Sequence, residues 1–140
     1  MSARFFLDTN IFVYAFDARS PEKANRATEL IKLAVSSRQG IISYQVVQEF
    51  FNVAIRRFAQ PMQCHEAEQY LATIFRPLIA IHSSAALYAE ALRFNSRYGL
   101  SWYDSLIVTA AMRGKSNVLY SEDFQHGQRF GDLRVENPFL

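Results

Sequence analysis

The chain opens with a short, largely apolar run, Arg4-Phe5-Phe6-Leu7, that ends abruptly at Asp8-Thr9-Asn10. A run of that length closed by polar residues predicts a buried strand. A second apolar run, Ile11 to Phe16, follows at once and predicts a short helix over Thr9 to Phe16. Asp17 to Pro21 breaks the pattern, with Ser20 as N-cap and Pro21 at the first helical position. From Glu22 to about Ser36, Ala24, Ala27, Leu30, Ile31, Ala34 and Val35 recur at helical spacing, with charged residues largely off that stripe. Ile41-Ile42, after Gly40, predicts a second strand, and Ser43 caps a helix to about Phe58. Another helix covers Met62 to Phe75 and stops before Pro77, because the residue preceding proline disfavours the helical region.

Leu78-Ile79-Ala80-Ile81 predicts a third strand. Ser83 or Ser84 caps the next helix, which ends at Gly99 after a basic last turn. Ser101 caps a strongly apolar helix from Trp102 to about Met112. Asn117 to Tyr120 predicts a fourth strand, followed by Ser121-Glu122-Asp123, and Leu133-Arg134-Val135 a short fifth. No repeat, low-complexity tract or linker interrupts the chain. Strands alternating with helices indicate an α/β fold with a mainly parallel sheet and helices on both faces.

The 140 residues correspond to one domain, 1–140, large enough to bury roughly 68–70% of its unfolded surface. Half the residues are apolar and 20% are charged, which excludes a disordered chain. The single cysteine, Cys64, excludes an internal disulfide and fits a reducing, cytoplasmic compartment. No membrane span or signal peptide is expected. The formal charge of +2 permits a polyanionic partner without requiring one. Its basic residues fall in small groups, Arg56 with Arg57, Arg93 with Arg97, and Arg113 with Lys115.

The acids change the picture. Asp8 stands at the C-terminal end of a strand, where ligands collect in open α/β sheets, although an aspartate there also serves as a helix N-cap. Glu49 lies at the edge of an apolar helical arc, between Val46 and Val53. Asp104 shares a face with Ile107, Val108 and Ala111 on a helix apolar almost all round, which is expected to be buried. A buried carboxylate needs a partner, and an arginine is one possibility. Asp123 follows the fourth strand. Strand ends and helix starts share one edge of a parallel sheet, so four carboxylates converge there and repel one another. A divalent cation with oxygen ligands, Mg²⁺ or Mn²⁺, relieves that repulsion. Such a site can bind a phosphodiester, activate water and stabilise the leaving oxygen. Asn10 and Ser121 lie two residues from Asp8 and Asp123 and can orient a carboxylate, a water or a phosphate oxygen; the alternative for each is a turn or cap role.

With these motifs in order, Asp8-Thr9-Asn10, Glu49 in Val46-Val47-Gln48-Glu49-Phe50, Asp104 in Trp102-Tyr103-Asp104-Ser105, and Ser121-Glu122-Asp123, the chain resembles the PIN domain over essentially its whole length, and more narrowly the VapC-type toxins of bacterial toxin–antitoxin pairs. The resemblance implies a three-layer sandwich around a five-stranded parallel sheet and a Mg²⁺- or Mn²⁺-dependent ribonuclease. It implies Asp8, Glu49 and Asp104 as the principal acids and Asp123 as the fourth, with Glu122 a competitor for that role. Ser121 stands where the family has Thr or Ser, and Thr9 and Asn10 are supporting candidates. It also implies homodimers, an RNA substrate, and a small cognate antitoxin protein that occupies the active-site groove.

His126 reads as a turn residue, and His65 and His82 as structural or solvated. Trp102 and Tyr103 read as core or groove wall, with stacking on an RNA base as the functional use. A phosphotransferase using Asp8 as a nucleophile would need a second acid where Asn10 stands and a lysine after the fourth strand; neither is present. A non-catalytic protein whose acidic pocket docks a basic partner peptide is the other alternative.

Overall fold

The computed structural model describes residues 3–140. Strand β1 (Arg4–Leu7) leads through Asp8 into helix α1 (Thr9–Tyr14), then α2 (Pro21–Ser37), β2 (Gly40–Ser43) and α3 (Tyr44–Ala54). Helix α4 (Cys64–Tyr70) runs through a π-helical turn (Leu71–Phe75) into α5 (Arg76–Leu78), followed by β3 (Ile79–Ile81), α6 (Ala85–Tyr98), α7 (Trp102–Arg113), β4 (Ser116–Tyr120), β5 (Arg129–Phe130) and β6 (Leu133–Glu136). The sheet order is β3-β2-β1-β4-β6-β5, parallel throughout except where β5 pairs antiparallel with β6. This is the expected α/β sandwich with helices flanking a mainly parallel sheet.

Three expectations need correction. The sheet has six strands, not five. The extra strand, β5, is two residues long, too short to show a period of two, and is held by a hairpin whose Gly131 adopts φ +60°. The helix after Ser43 ends at Ala54 rather than Phe58. Beyond it the chain folds back so that Met62 N–H donates to the Ala54 carbonyl at 2.9 Å, and Phe58 packs from this loop against Phe16 and Phe50. Finally, helix continues through Pro77. Arg76 N–H reaches back five residues to the Leu71 carbonyl, and this wide turn resets the ladder so that Pro77 falls in the first turn of α5, where an N–H is not needed.

The core draws on both sides of the sheet. Phe6, Leu7, Ile42 and Leu119 from the central strands are fully buried, as are Phe12, Phe50 and Phe75 from the helices. Phe50 is the hub of an aromatic cluster, stacked on Tyr70 and edge-on to Phe51, Phe58 and Phe75. Gly40 lets α2 press onto β2: a Cβ there would lie 2.1 Å from Ala34 Cβ. Arg4, which begins β1, donates to the carbonyl of Gly114 beyond the end of α7 at 3.2 Å. The far end of α7 therefore lies at the amino edge of the sheet, and its first turn, which carries Asp104, lies toward the carboxyl edge.

Candidate active site

The register of the central strands determines which polar residues meet. Leu7 pairs with Tyr120 across β1 and β4, so the next residues of both strands, Asp8 and Ser121, leave the sheet side by side. Ser121 Oγ donates to Asp8 Oδ2 at 2.7 Å and accepts from Asp123 N–H at 3.1 Å. Thr9 N–H donates to Asp8 Oδ1 at 2.7 Å. Asp8 is thus a helix cap and a groove residue at once, and the two readings of it are compatible. Thr9 Oγ1 in turn donates to Glu49 Oε1 at 2.6 Å, linking α1 to α3. On α3 the helical spacing brings Gln45, Glu49 and Val53 to one side. Gln45 Nε2 reaches Glu49 at 3.5 Å and the Tyr103 carbonyl at 3.2 Å, bridging α3 to the start of α7.

Asp8, Glu49, Asp104 and Asp123, from four separate segments, line one open groove of about 460 Å³ together with Thr9 and Asn10. Asp104 is half-buried rather than buried, because its turn of α7 borders this opening while Ser105 to Ala111 are packed inside. Among the described residues it has no ion-pair partner, so the arginine reading finds no support. Glu122 turns away from the groove: its carboxylate accepts from Tyr14 Oη and pairs with Lys23 Nζ at 2.8 Å. Burial opposes its ionisation, but those two hydrogen bonds outweigh burial and hold its pKa below the ordinary value. Of the two competing acids, only Asp123 lines the groove. His126 accepts from Asn137 N–H at 3.0 Å, a turn contact.

Asp8 carries the electrostatic signature of the site. It is 4% exposed, and burial pushes its pKa up to about 7, opposed by the hydrogen bonds from Ser121 and Thr9 and reinforced by the charges of Asp123 and Glu49. Burial and the neighbouring Asp104 charge likewise raise Asp123; the nearby Asn10 carboxamide opposes that rise. Both polar atoms of Asn10 are buried and, among the described residues, without a hydrogen bond of good geometry. Among the described residues no three acids, histidines or cysteines come close enough together to hold a metal ion between them. Mg²⁺ commonly binds through one or two carboxylates and retains several waters, so an open acid groove with an unsatisfied carboxamide fits such an ion.

The groove has members that the sequence did not single out. Asp17 and Arg19 stand at its rim, paired at 3.0 Å, and Tyr14 and Gln45 form part of its wall beside Tyr103, which the sequence reads as core or groove wall. Gln45 lies one helical turn before Glu49, a signal that spacing could have provided. Asp17 and Arg19 lie in a break without periodicity, and nothing in the pattern marked them.

An acid-lined groove at the carboxyl edge of a parallel sheet defines an α/β protein of ligand-binding design. More narrowly, the family model of the PIN domain matches residues 5–129, and the chain belongs to that family. Its fold is also that of several solved structures. A toxin–antitoxin complex from Klebsiella pneumoniae matches with a TM-score of 0.66 and 20% identity, covering 98% of each chain. VapBC2 from Rickettsia felis, bound to a promoter DNA fragment, matches with a TM-score of 0.61 and 21% identity over 94% of this chain and 96% of that one. The Mycobacterium tuberculosis toxin VapC20, which cleaves the sarcin–ricin loop, matches with a TM-score of 0.58 and 20% identity over 85% and 89%. No curated protein matches the sequence significantly. Among the described residues no helix is long and apolar enough to cross a membrane.

Proposed function

We propose that this protein is a metal-dependent endoribonuclease, the toxin of a toxin–antitoxin pair. The observation that carries the reading is the buried carboxylate of Asp8, sharing one groove with Glu49, Asp104 and Asp123. PIN domains are in general nucleases, and the toxin–antitoxin complexes that share this fold support the biological setting.

Asp8, Glu49, Asp104 and Asp123 would hold Mg²⁺ or Mn²⁺. When bound, the ion supplies Lewis acidity toward a phosphodiester and lowers the pKa of a coordinated water. The chain's own residues do the positioning. Ser121 and Thr9 N–H fix both oxygens of Asp8, Thr9 Oγ1 and Gln45 fix Glu49, and Asn10 offers an unsatisfied carboxamide to a water or phosphate oxygen. Single-stranded or looped RNA is the substrate class that an open groove admits. A small antitoxin occupies the same groove and inhibits the enzyme, which works as a homodimer.

Incubation of purified protein with single-stranded RNA tests the activity. Cleavage requires Mg²⁺ or Mn²⁺, stops in EDTA, and is abolished in Asp8→Asn while the fold is retained; full activity in that variant would remove Asp8 from the site. The open spacing of the acids also suits a non-catalytic groove that docks a basic peptide. That reading gains if neither metal binding nor EDTA-sensitive cleavage is found.

A further inference from the structure

Beside the acid groove lies a second cavity, of about 290 Å³, between α3, β3, α6 and the first turns of α7. Gln45 and Tyr103 line both cavities and form their common wall, where Gln45 Nε2 donates to the Tyr103 carbonyl at 3.2 Å. The volume is at the small end of ligand sites. Its lining is neutral: Ser43, Gln48 and Ser83 supply polar groups, and Tyr88, Trp102 and Tyr103 supply aromatic ones, with no charged residue. Trp102 and Tyr88 meet edge to face, ring centroids 5.9 Å apart, and Tyr103 is 63% exposed, a cavity wall rather than core.

Ser43 identifies this as a built site. It ends β2, is 4% exposed, and among the described residues its hydroxyl has no hydrogen-bond partner. It precedes α3 as the N-cap residue, yet its side chain makes no capping bond. A buried hydroxyl left unpaired is costly, and a ligand edge in the cavity would satisfy it.

We propose that this cavity is a nucleobase subsite, taking one base of the RNA whose phosphodiester lies in the acid groove across the Gln45–Tyr103 wall. Flat, uncharged and rimmed with donors and acceptors, a base matches the lining group by group. One face packs on the Tyr88–Trp102 aromatic pair, and its edge meets the Ser43 hydroxyl and the Gln48 carboxamide. A phosphate or a charged side chain would find no counter-charge here. The inference deepens the ribonuclease reading and rests on it: the cavity would make cleavage selective for the base next to the cut.

Trp102 is the chain's single tryptophan, so its emission reports on this cavity directly. Short homo-oligoribonucleotides of each of the four bases, titrated in EDTA to prevent cleavage, quench it saturably and with a marked preference among the bases. Ser43→Ala weakens that binding by about fivefold to tenfold, and Tyr88→Ala by about tenfold or more. With metal restored, both variants flatten the base preference at one position beside the cut in a mixed RNA pool. Base-selective quenching without metal-dependent cleavage would defeat the nuclease reading but keep the subsite. Cleavage whose base preference is unmoved in Ser43→Ala, Gln48→Ala and Tyr88→Ala would defeat the subsite but keep the nuclease. Emission indifferent to every oligomer, or shifting to the blue with protein concentration alone as Trp102 is covered by another protein surface, would also overturn the proposal.

Discussion

Asp8 is held by two hydrogen bonds and opposed by everything else around it. Its pKa near 7, against 3.8 for an ordinary aspartate, means that the native state binds a proton more tightly than the unfolded chain between those limits. Stability in EDTA therefore falls as pH rises from about 4 to about 7 and is lowest above that window. At about 1.4 kcal/mol per pH unit the ceiling is about 4 kcal/mol. Denaturant titrations of wild type and Asp8→Asn across this range check the sign: the wild-type decline should be largely absent from the variant. Asp104 shares the groove with the other three acids. Lacking a cationic partner among the described residues, Asp104→Asn should melt in EDTA at the wild-type temperature or above. A clear drop would reveal a structural partner for its charge.

Among the elements, β2 and α2 depend on one close approach. Gly40→Ala places a methyl 2.1 Å from Ala34 Cβ, and neither backbone can retreat without opening the core, so a loss of about 1–3 kcal/mol is expected by chemical denaturation. The same elements show how far local pattern reaches. Asp8 and Ser121 were legible because each directly follows an apolar strand, and parallel register then sets them side by side. Glu49 and Asp104 were legible as acids on apolar helical faces. The orientation of Glu122 was not, because Lys23, 99 residues earlier, draws it toward α2. The passage of helix through Pro77 was equally hidden. It depends on a π-helical turn that lets Phe75 join the Phe12–Phe50 cluster, a tertiary demand that overrides the local rule. The second cavity escaped the pattern for a related reason, since its polar residues come from separate segments and Ser43 and Ser83 read locally only as helix caps.

For the molecule as a whole, an ion bound in the acid groove would couple its binding to folding. A cation held only by the native state stabilises it by about 2.7 kcal/mol at a hundredfold excess over its Kd. In a chain of this length that raises Tm by roughly 5–10 °C. Thermal scans with and without Mn²⁺ should show the increase in wild type and little of it in Asp8→Asn. An equal increase in both would place the ion elsewhere. The sixth strand has a separate consequence for partners. The sheet ends at β3 on one side and β5 on the other, three and two residues long. Margins this short offer few unpaired backbone groups and so disfavour pairing with another chain. A protein that binds here gains little by adding a strand of its own and more by reading side chains, which the two cavities joined at Gln45 and Tyr103 present in depth.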